Sequence, residues 1–521
     1  MLQISKVTGY LFLGILFFTI VSSGHDMWDG VVTSYGFEAN NISGSSATML
    51  AHGWYLQHFL HLALFELADN LQVTFFQISS FVSFVFIALM AREVVFLSKK
   101  IFYLEDFFAN ISFCLFIIFP VWQIFFSSIH LIFIFCILLG FVGIRFIHTD
   151  YLLLKKCAGY LFVILSFQVS SMLVFLPILS YAYESNKRNL NQLSLPSIVT
   201  WFIFLLSVVV YSVKTIIFPP VNEISGAYNQ LMNPLSSLES FKLVVGGLLS
   251  YSTFFALFLP AFFLFLTNML LSKSYLREFY KKISANWHTF FLLIILLGAS
   301  VFSYVMVGKY GKLTFEHVML WEMRHSILLA PMAAIFTAWL FQMVSVDYPR
   351  SLRGNVLIIL TLLISLTFLL FGVASKLNRH QFETQLIGSL ESLEISPGTV
   401  YFALDSASAN PLPIMRSYEL NYLFYRMYKN IDYDVRFAVK GSKVLEHQGH
   451  TQQERDRLHL TQSLSKDMWL MEIYNPSNTK CKSIISMEIK DFSGNLNVIK
   501  NSLGLGNGRV NLTLDSTKCF Q

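Results

Sequence analysis

Residues 157–182 read CAGYLFVILSFQVSSMLVFLPILSYA, 26 positions without a charge, bracketed by Lys155-Lys156 on one side and Lys187-Arg188 on the other. A bilayer core about 30 Å thick takes about 20 apolar residues per helix. A single crossing would set the two basic pairs on opposite faces of the membrane, whereas basic loop residues collect on the cytoplasmic face. The spacing therefore predicts two short helices with a turn near Gln168–Ser171. A re-entrant hairpin would return the chain to the same face.

Apolar runs extend outward from this stretch in both directions, near 7–22, 73–91, 107–127, 129–147, 196–218, 241–271, 287–307, 326–345 and 355–375. The first follows Lys6 and ends in small residues, as a signal peptide would. The runs that follow it make a retained first helix the expectation. Eleven crossings then put Lys99-Lys100, Lys155-Lys156, Lys187-Arg188, Lys273 to Lys282, and Arg350 with Arg353 inside. In that arrangement 15 of the 20 Lys and Arg of residues 1–375 are cytoplasmic and the C-terminus is outside.

Composition agrees. The 521 residues are 55% hydrophobic, 16% aromatic and 13% charged, with 52 Phe and a mean hydropathy of +0.58. Soluble globular chains carry about 25% charged residues, which argues against a soluble enzyme. The net charge of +6 is spread thinly and forms no nucleic-acid stripe. Residues 376–521 nevertheless hold 17 of the 37 Lys and Arg and 15 of the 31 Asp and Glu. The expected architecture is an all-α polytopic membrane domain over 1–376, of about 11 transmembrane helices, followed by a mixed α/β soluble domain over 377–521. In the latter, alternation predicts strands at Thr399–Leu404, Tyr433–Val439, Met468–Tyr474, Ser483–Ile489 and Arg509–Leu514, and a helix at Tyr418–Tyr428. Cys114, Cys136 and Cys157 read as packed thiols. Cys481 and Cys519 could form a disulfide if the tail occupies an oxidising compartment.

Three outer-face segments follow from this topology: 23–72, 219–240 and 308–325. The first holds Asp26, Asp29, Glu38, Glu66 and Asp69 and no Lys or Arg. Its densest part is His25-Asp26-Met27-Trp28-Asp29-Gly30, followed by His52-Gly53-Trp54-Tyr55-Leu56-Gln57-His58 and His61. Carboxylates at the mouth of a membrane cavity suit general-base work, because a low-dielectric neighbourhood raises their pKa into a useful range. Acids in an outer loop are also what topology bias leaves behind. The 52–61 stretch suits a short interfacial helix whose Trp54 and Tyr55 anchor it or stack on sugar rings. The spacing of the His residues fits no compact metal-ligand set. The third segment ends in Trp321-Glu322-Met323-Arg324-His325, where Arg324 could grip a lipid phosphate with its fork of donors or serve as an interfacial anchor. Lys309 and Lys312 are weaker candidates of the same kind, and Phe167-Gln168 could line the cavity or only satisfy a helix break.

This arrangement of a first helix, a long acidic outer loop with an interfacial helix, and a soluble C-terminal domain resembles the GT-C superfamily of integral-membrane glycosyltransferases. In size and layout it is most similar to the serotype-converting glucosyltransferases that decorate bacterial O-antigen, the outer part of lipopolysaccharide. The resemblance implies an inverting transfer of a sugar from a polyprenyl phosphate-linked donor to a glycan or lipid-linked glycan acceptor. The reaction would occur at the outer face of a bacterial cytoplasmic membrane, with the C-terminal domain periplasmic. Asp29 in Trp28-Asp29-Gly30 corresponds first to the family's base and Asp26 second. Family members often carry adjacent acids, whereas two residues separate these. Arg324 corresponds to the basic residue facing the donor phosphate. The substrate-binding set is His25, Trp28, His52, Trp54, Gln57, His58, Glu322, Arg324 and His325. The resemblance names no obligatory cofactor and allows a divalent cation. Two other readings are a transporter or flippase of a lipid-linked substrate, and an O-antigen polymerase or ligase. The first expects two similar halves with broken helices, and no second half is visible. The second relies on outer-loop Arg and His.

Overall fold

The computed structural model of the chain describes residues 2–21, 26, 33–34, 49–50, 54–123, 127–149, 152–187, 196–216, 233–271, 275–315, 321–345, 352–393, 399–405, 434–438, 468–474, 481–492 and 494–519. The chain divides into two compact units. Met1–Ser22 with Ile42–Gly372 form the first, and Ser23–Asn41 with Val373–Gln521 form the second. The start of the acidic loop thus groups with the C-terminal part of the chain.

The first unit is helical: Leu2–Val21 (α1), Tyr55–Leu71 (α2), Phe75–Lys100 (α3), Asp106–Ile117 (α4), Leu131–Thr149 (α5), Leu153–Ser166 (α6), Met172–Lys187 (α7), Ile198–Ile216 (α8), Leu238–Ser250 (α9), Leu259–Leu271 (α10), Tyr275–Ala285 (α11), Trp287–Val305 (α12) and Leu329–Val344 (α13). Leu352–Glu391 (α14) starts here and continues into the second unit. Six described segments are long and apolar enough to cross a bilayer: Phe75–Lys100, Asp106–Gln123, Ser128–Thr149, Leu238–Leu257, Trp287–Val305 and Asn355–Glu391. The protein is a helical membrane protein.

The 157–182 stretch breaks where expected. α6 ends at Ser166 and α7 begins at Met172. The turn closes with Phe167 N–H on Val163 O and Gln168 N–H on Leu165 O, so few backbone groups are left unsatisfied in an apolar setting. Phe167 is fully buried. α6 meets α5 at two glycines: a Cβ on Gly143 would stand 2.8 Å from Gly159 O, and one on Gly159 2.8 Å from Gly143 O. Small residues at both positions bring the backbones into contact, which is how helices pack without a hydrophobic drive between them. Buried polar groups add fixed points. Glu93 of α3 pairs with Arg145 of α5 at 3.0 Å, and the guanidinium lies 5.4 Å from the Phe96 and Phe146 rings. Glu184 of α7 accepts from the N–H groups of Ser197 (2.9 Å) and Thr200 (3.2 Å), capping α8 from a neighbouring helix.

Two expectations are corrected. The 241–271 run is not one helix but α9, a 3-10 turn at Tyr251–Leu257, and α10. Pro260 at the start of α10 offers no N–H to continue the preceding ladder. The turn is also tied sideways, since Thr253 Oγ1 accepts from Leu313 N–H at 2.7 Å. Cys114 and Cys136 are buried, but Cys157 is exposed rather than packed. It stands near the start of α6, beyond the Gly159 contact.

In the second unit the described strands are Thr399–Asp405 (β1), Asp434–Ala438 (β2), Met468–Tyr474 (β3), Cys481–Lys490 (β4) and Arg509–Cys519 (β5), with helix Asn495–Ser502 (α15) between the last two. They form one sheet of order β2-β3-β1-β4-β5. β1 and β4 are parallel and the other pairs antiparallel. All five strands fall on the alternating runs of the sequence; residues 418–428 lie outside the described set. The C-terminal part of α14 holds this sheet through side chains. Gln385 Nε2 donates to Gly508 O at 2.7 Å while its Oε1 accepts from Val510 N–H at 3.0 Å, and Ser389 Oγ donates to Val510 O at 2.9 Å. Asn501 of α15 is the hub beside them. Its Nδ2 donates to Asn378 Oδ1 and to Asp491 O, both at 2.8 Å. A Cβ on Gly506 would sit 1.7 Å from Asn501 Oδ1, so only glycine lets the following loop close over that amide.

Cys481 and Cys519 are register partners across β4 and β5. Directly opposed residues of an antiparallel pair have Cα atoms about 4.5–5.5 Å apart, within the range a disulfide spans. Protein purified from an exported, oxidised source is expected to yield a linked Cys481–Cys519 peptide in non-reducing mass spectrometry. Two alkylatable thiols there would show that this edge is not oxidised.

Candidate functional site

α2 carries the second aromatic–His stretch and is longer than the short helix expected. Its buried face is Gln57, His61, Leu64 and Ala68, at helical spacing. Trp54, Tyr55 and Phe59 are exposed. In its first two turns amide and imidazole face inward and rings face outward, an arrangement suited to the head-group level of a bilayer, while farther on Leu64 and Ala68 face inward and Glu66 and Asp69 outward. His61 Nε2–H donates to Ser128 O at 3.2 Å. Burial pushes its pKa down to about 4, so the ring is neutral and Nδ1 is its acceptor. One turn earlier, buried Gln57 Nε2 has no hydrogen-bond partner among the described residues.

The Ser128 contact leads to the other predicted segment. Ser128 opens the 3-10 turn Ser128–His130, and His130 lies within electrostatic reach of His325. Trp321–Ser326 is itself a 3-10 turn at the head of α13. There Arg324 Nε–H donates to His325 Nε2 at 3.1 Å. A guanidinium has no acceptor, so the proton of the neutral ring stands on Nδ1. That buried N–H finds no partner among the described residues. Burial, followed by the charges of Arg324, Lys309 and His130, holds His325 well below the ordinary histidine range. Two tyrosines hold the turn. Tyr251 O–H donates to His325 O at 3.1 Å, and the Tyr304 ring lies 5.2 Å from the imidazole, with its hydroxyl 3.2 Å from Ser171 Oγ.

Lys309 completes the charge pattern. Burial, with the neighbouring Arg324 charge added, pushes its pKa down to about 8. Pro120–Gln123, another 3-10 turn, packs against Trp321–Ser326. Gln123 is fully buried, and neither of its amide atoms has a partner among the described residues. Helices and turns distant in sequence thus bring two mutually repelling cations and several buried donors to one place. A multi-oxygen anion would relieve that repulsion and accept the fork of Arg324.

Asp26 belongs to the second unit. It is buried, and Ser34 Oγ donates to its Oδ2 at 2.7 Å. Lys376 on α14, also buried, lies within electrostatic reach of the carboxylate. His25, Trp28, Asp29 and His52 lie outside the described residues. Glu322 is in the 3-10 turn, with its side chain outside the described set.

Sequence reading missed His130, Tyr251, Tyr304 and Lys376. The first three sit inside apolar runs or at their ends, where each reads as core or anchor. Lys376 follows an apolar run and reads as a boundary residue. Among the described residues no three His, Cys, Asp or Glu side chains gather as a metal site. No family model, curated protein or solved structure matches the chain.

Proposed function

We propose that the chain is a GT-C-type glycosyltransferase of a bacterial cytoplasmic membrane, taking a sugar from a polyprenyl phosphate-linked donor to a glycan or lipid-linked glycan acceptor at the outer face. The observation that carries this reading is the pairing of the half-buried Arg324 with the buried His325, close to Lys309 and linked to α2 through Ser128 and His130. Such a cluster suits the phosphate of a lipid-linked sugar. Asp29 is the first choice of base, ahead of Asp26. The carboxylate takes the proton of the acceptor hydroxyl as that oxygen bonds to the anomeric carbon. The bond from that carbon to the phosphate oxygen breaks in the same displacement, which inverts the centre. The departing phosphate takes the electron pair and is stabilised electrostatically by Arg324. In the expected topology, with the C-terminal domain outside, these groups lie on the side where such donors are consumed.

The test is surface-glycan analysis of a host that supplies lipid-linked sugars and expresses the chain. A new glycosyl substituent is the expected result. An unchanged glycan in a host proven to hold several such donors would count against transfer. A second prediction concerns orientation: a phosphatase reporter fused after Gln521 is expected to be active outside the cytoplasm. Activity confined to the cytoplasm would overturn the outer-face site. The density of His and Arg in the cluster also favours a polymerase- or ligase-like reading, which predicts longer chains or whole-glycan transfer instead of one added sugar.

A further inference from the structure

α15 is built inside out. At 3.6 residues per turn Leu496, Ile499 and Leu503 fall within about 60° of one another, with Asn501 on the opposite side. Asn501 is the buried residue, while Leu496 is 64% exposed, Ile499 41% and Leu503 66%. Leu505 in the loop that follows is 74% exposed. A short helix in a water-facing domain would turn these side chains inward. Here the polar amide anchors the helix and the apolar stripe is left outward.

The level of the stripe along α14 identifies what covers it. The apolar run of α14 ends at Ser375, and Lys376 is its first charge since Arg353. Asn378, which receives the Asn501 hydrogen bond, is three residues farther on, about 4.5 Å along the axis at 1.5 Å per residue. The sheet contacts at Gln385 and Ser389 lie about 10 and 16 Å beyond Asn378 by the same rise. α15 therefore occupies the end of its unit that follows most directly on the membrane span. α15 itself carries Lys500 and no carboxylate, the exposed Asp491 standing just before it, and a lysine so placed suits anionic head groups.

We propose that the Leu496–Ile499–Leu503 face of α15, with Leu505, lies in the head-group and acyl boundary of the bilayer. Lys500 beside the stripe extends its ammonium to lipid phosphates while its stem covers apolar surface.

The experiment uses the full chain reconstituted in vesicles of phosphatidylethanolamine and phosphatidylglycerol. The photo-crosslinking residue p-benzoylphenylalanine replaces Leu496, Leu503 or, as a control, the exposed Asn511 of β5. Lipid adducts at positions 496 and 503, lost at 511, are the expected result. Lipid adducts at neither position, or adducts to a second copy of the chain in their place, would overturn the proposal. Two positions are used so that one poorly folded variant does not decide it. Neither result bears on sugar transfer.

Discussion

Asp29→Asn is expected to abolish sugar transfer while leaving the thermal unfolding of the chain unchanged, and Asp26→Asn is expected to lower stability. The two acids stand three positions apart but differ in what removing the charge does. A general base contributes about 10²- to 10⁴-fold, so a base replaced by its amide shows that loss in kcat with little change in Tm. Asp26 is buried and accepts the Ser34 hydroxyl, and Lys376, also buried, lies within its electrostatic reach. Turning the carboxylate into an amide removes its charge from the Ser34 hydrogen bond, a charge-assisted bond worth about 1.5–3 kcal/mol, and from the reach of the buried lysine. Asp26→Asn should therefore melt earlier, and adding Lys376→Met should restore much of the loss. If Asp26→Asn instead keeps its Tm and loses all transfer, Asp26 is the base and Asp29 a bystander.

Arg324→Met is expected to reduce transfer by about 10²- to 10³-fold, the range seen when a preorganised charge-stabilising donor is removed. Arg324→Lys keeps the charge but loses the fork, so KM for the lipid-linked donor should rise while KM for the acceptor holds. An equal rise in both would remove Arg324 from the phosphate site. Lys309 gives a pH signature. Its pKa, lowered to about 8, means that it loses its positive charge as pH rises through that value. Because kcat/KM reports the free enzyme, its dependence on the donor should fall above about pH 8, and Lys309→Arg should flatten that limb. A wild-type profile unaffected between pH 7 and 9 would show that Lys309 does not meet the donor.

Much of the fold was legible because its signals are local. The basic pairs around 157–182 require the chain to turn back, and the break between Ser166 and Met172 follows. The five strands alternate visibly because one face of a sheet differs from the other. The site was legible only in part. Arg324, His325 and Gln57 stand out as polar residues beside apolar runs. His130, Tyr251 and Tyr304 join them from positions up to 195 residues away in the chain, a juxtaposition no local pattern encodes. The break inside 241–271 was legible only in part: Pro260 marks it locally, but its partners, Leu313 and His325, belong to another segment.

The grip of Gln385 on β5 bears on how the sheet avoids aggregation. β5 is the last strand of its sheet, and an outermost strand offers unpaired backbone groups to any extended chain that drifts past, the first step of aggregation. Gln385 places an amide where a sixth strand would place a peptide group, donating to Gly508 O and accepting from Val510 N–H. One side chain of a helix thus imitates a short piece of neighbouring strand and closes that end of the open edge. A newly folded sheet is guarded there as soon as the helix that carries Gln385 has formed.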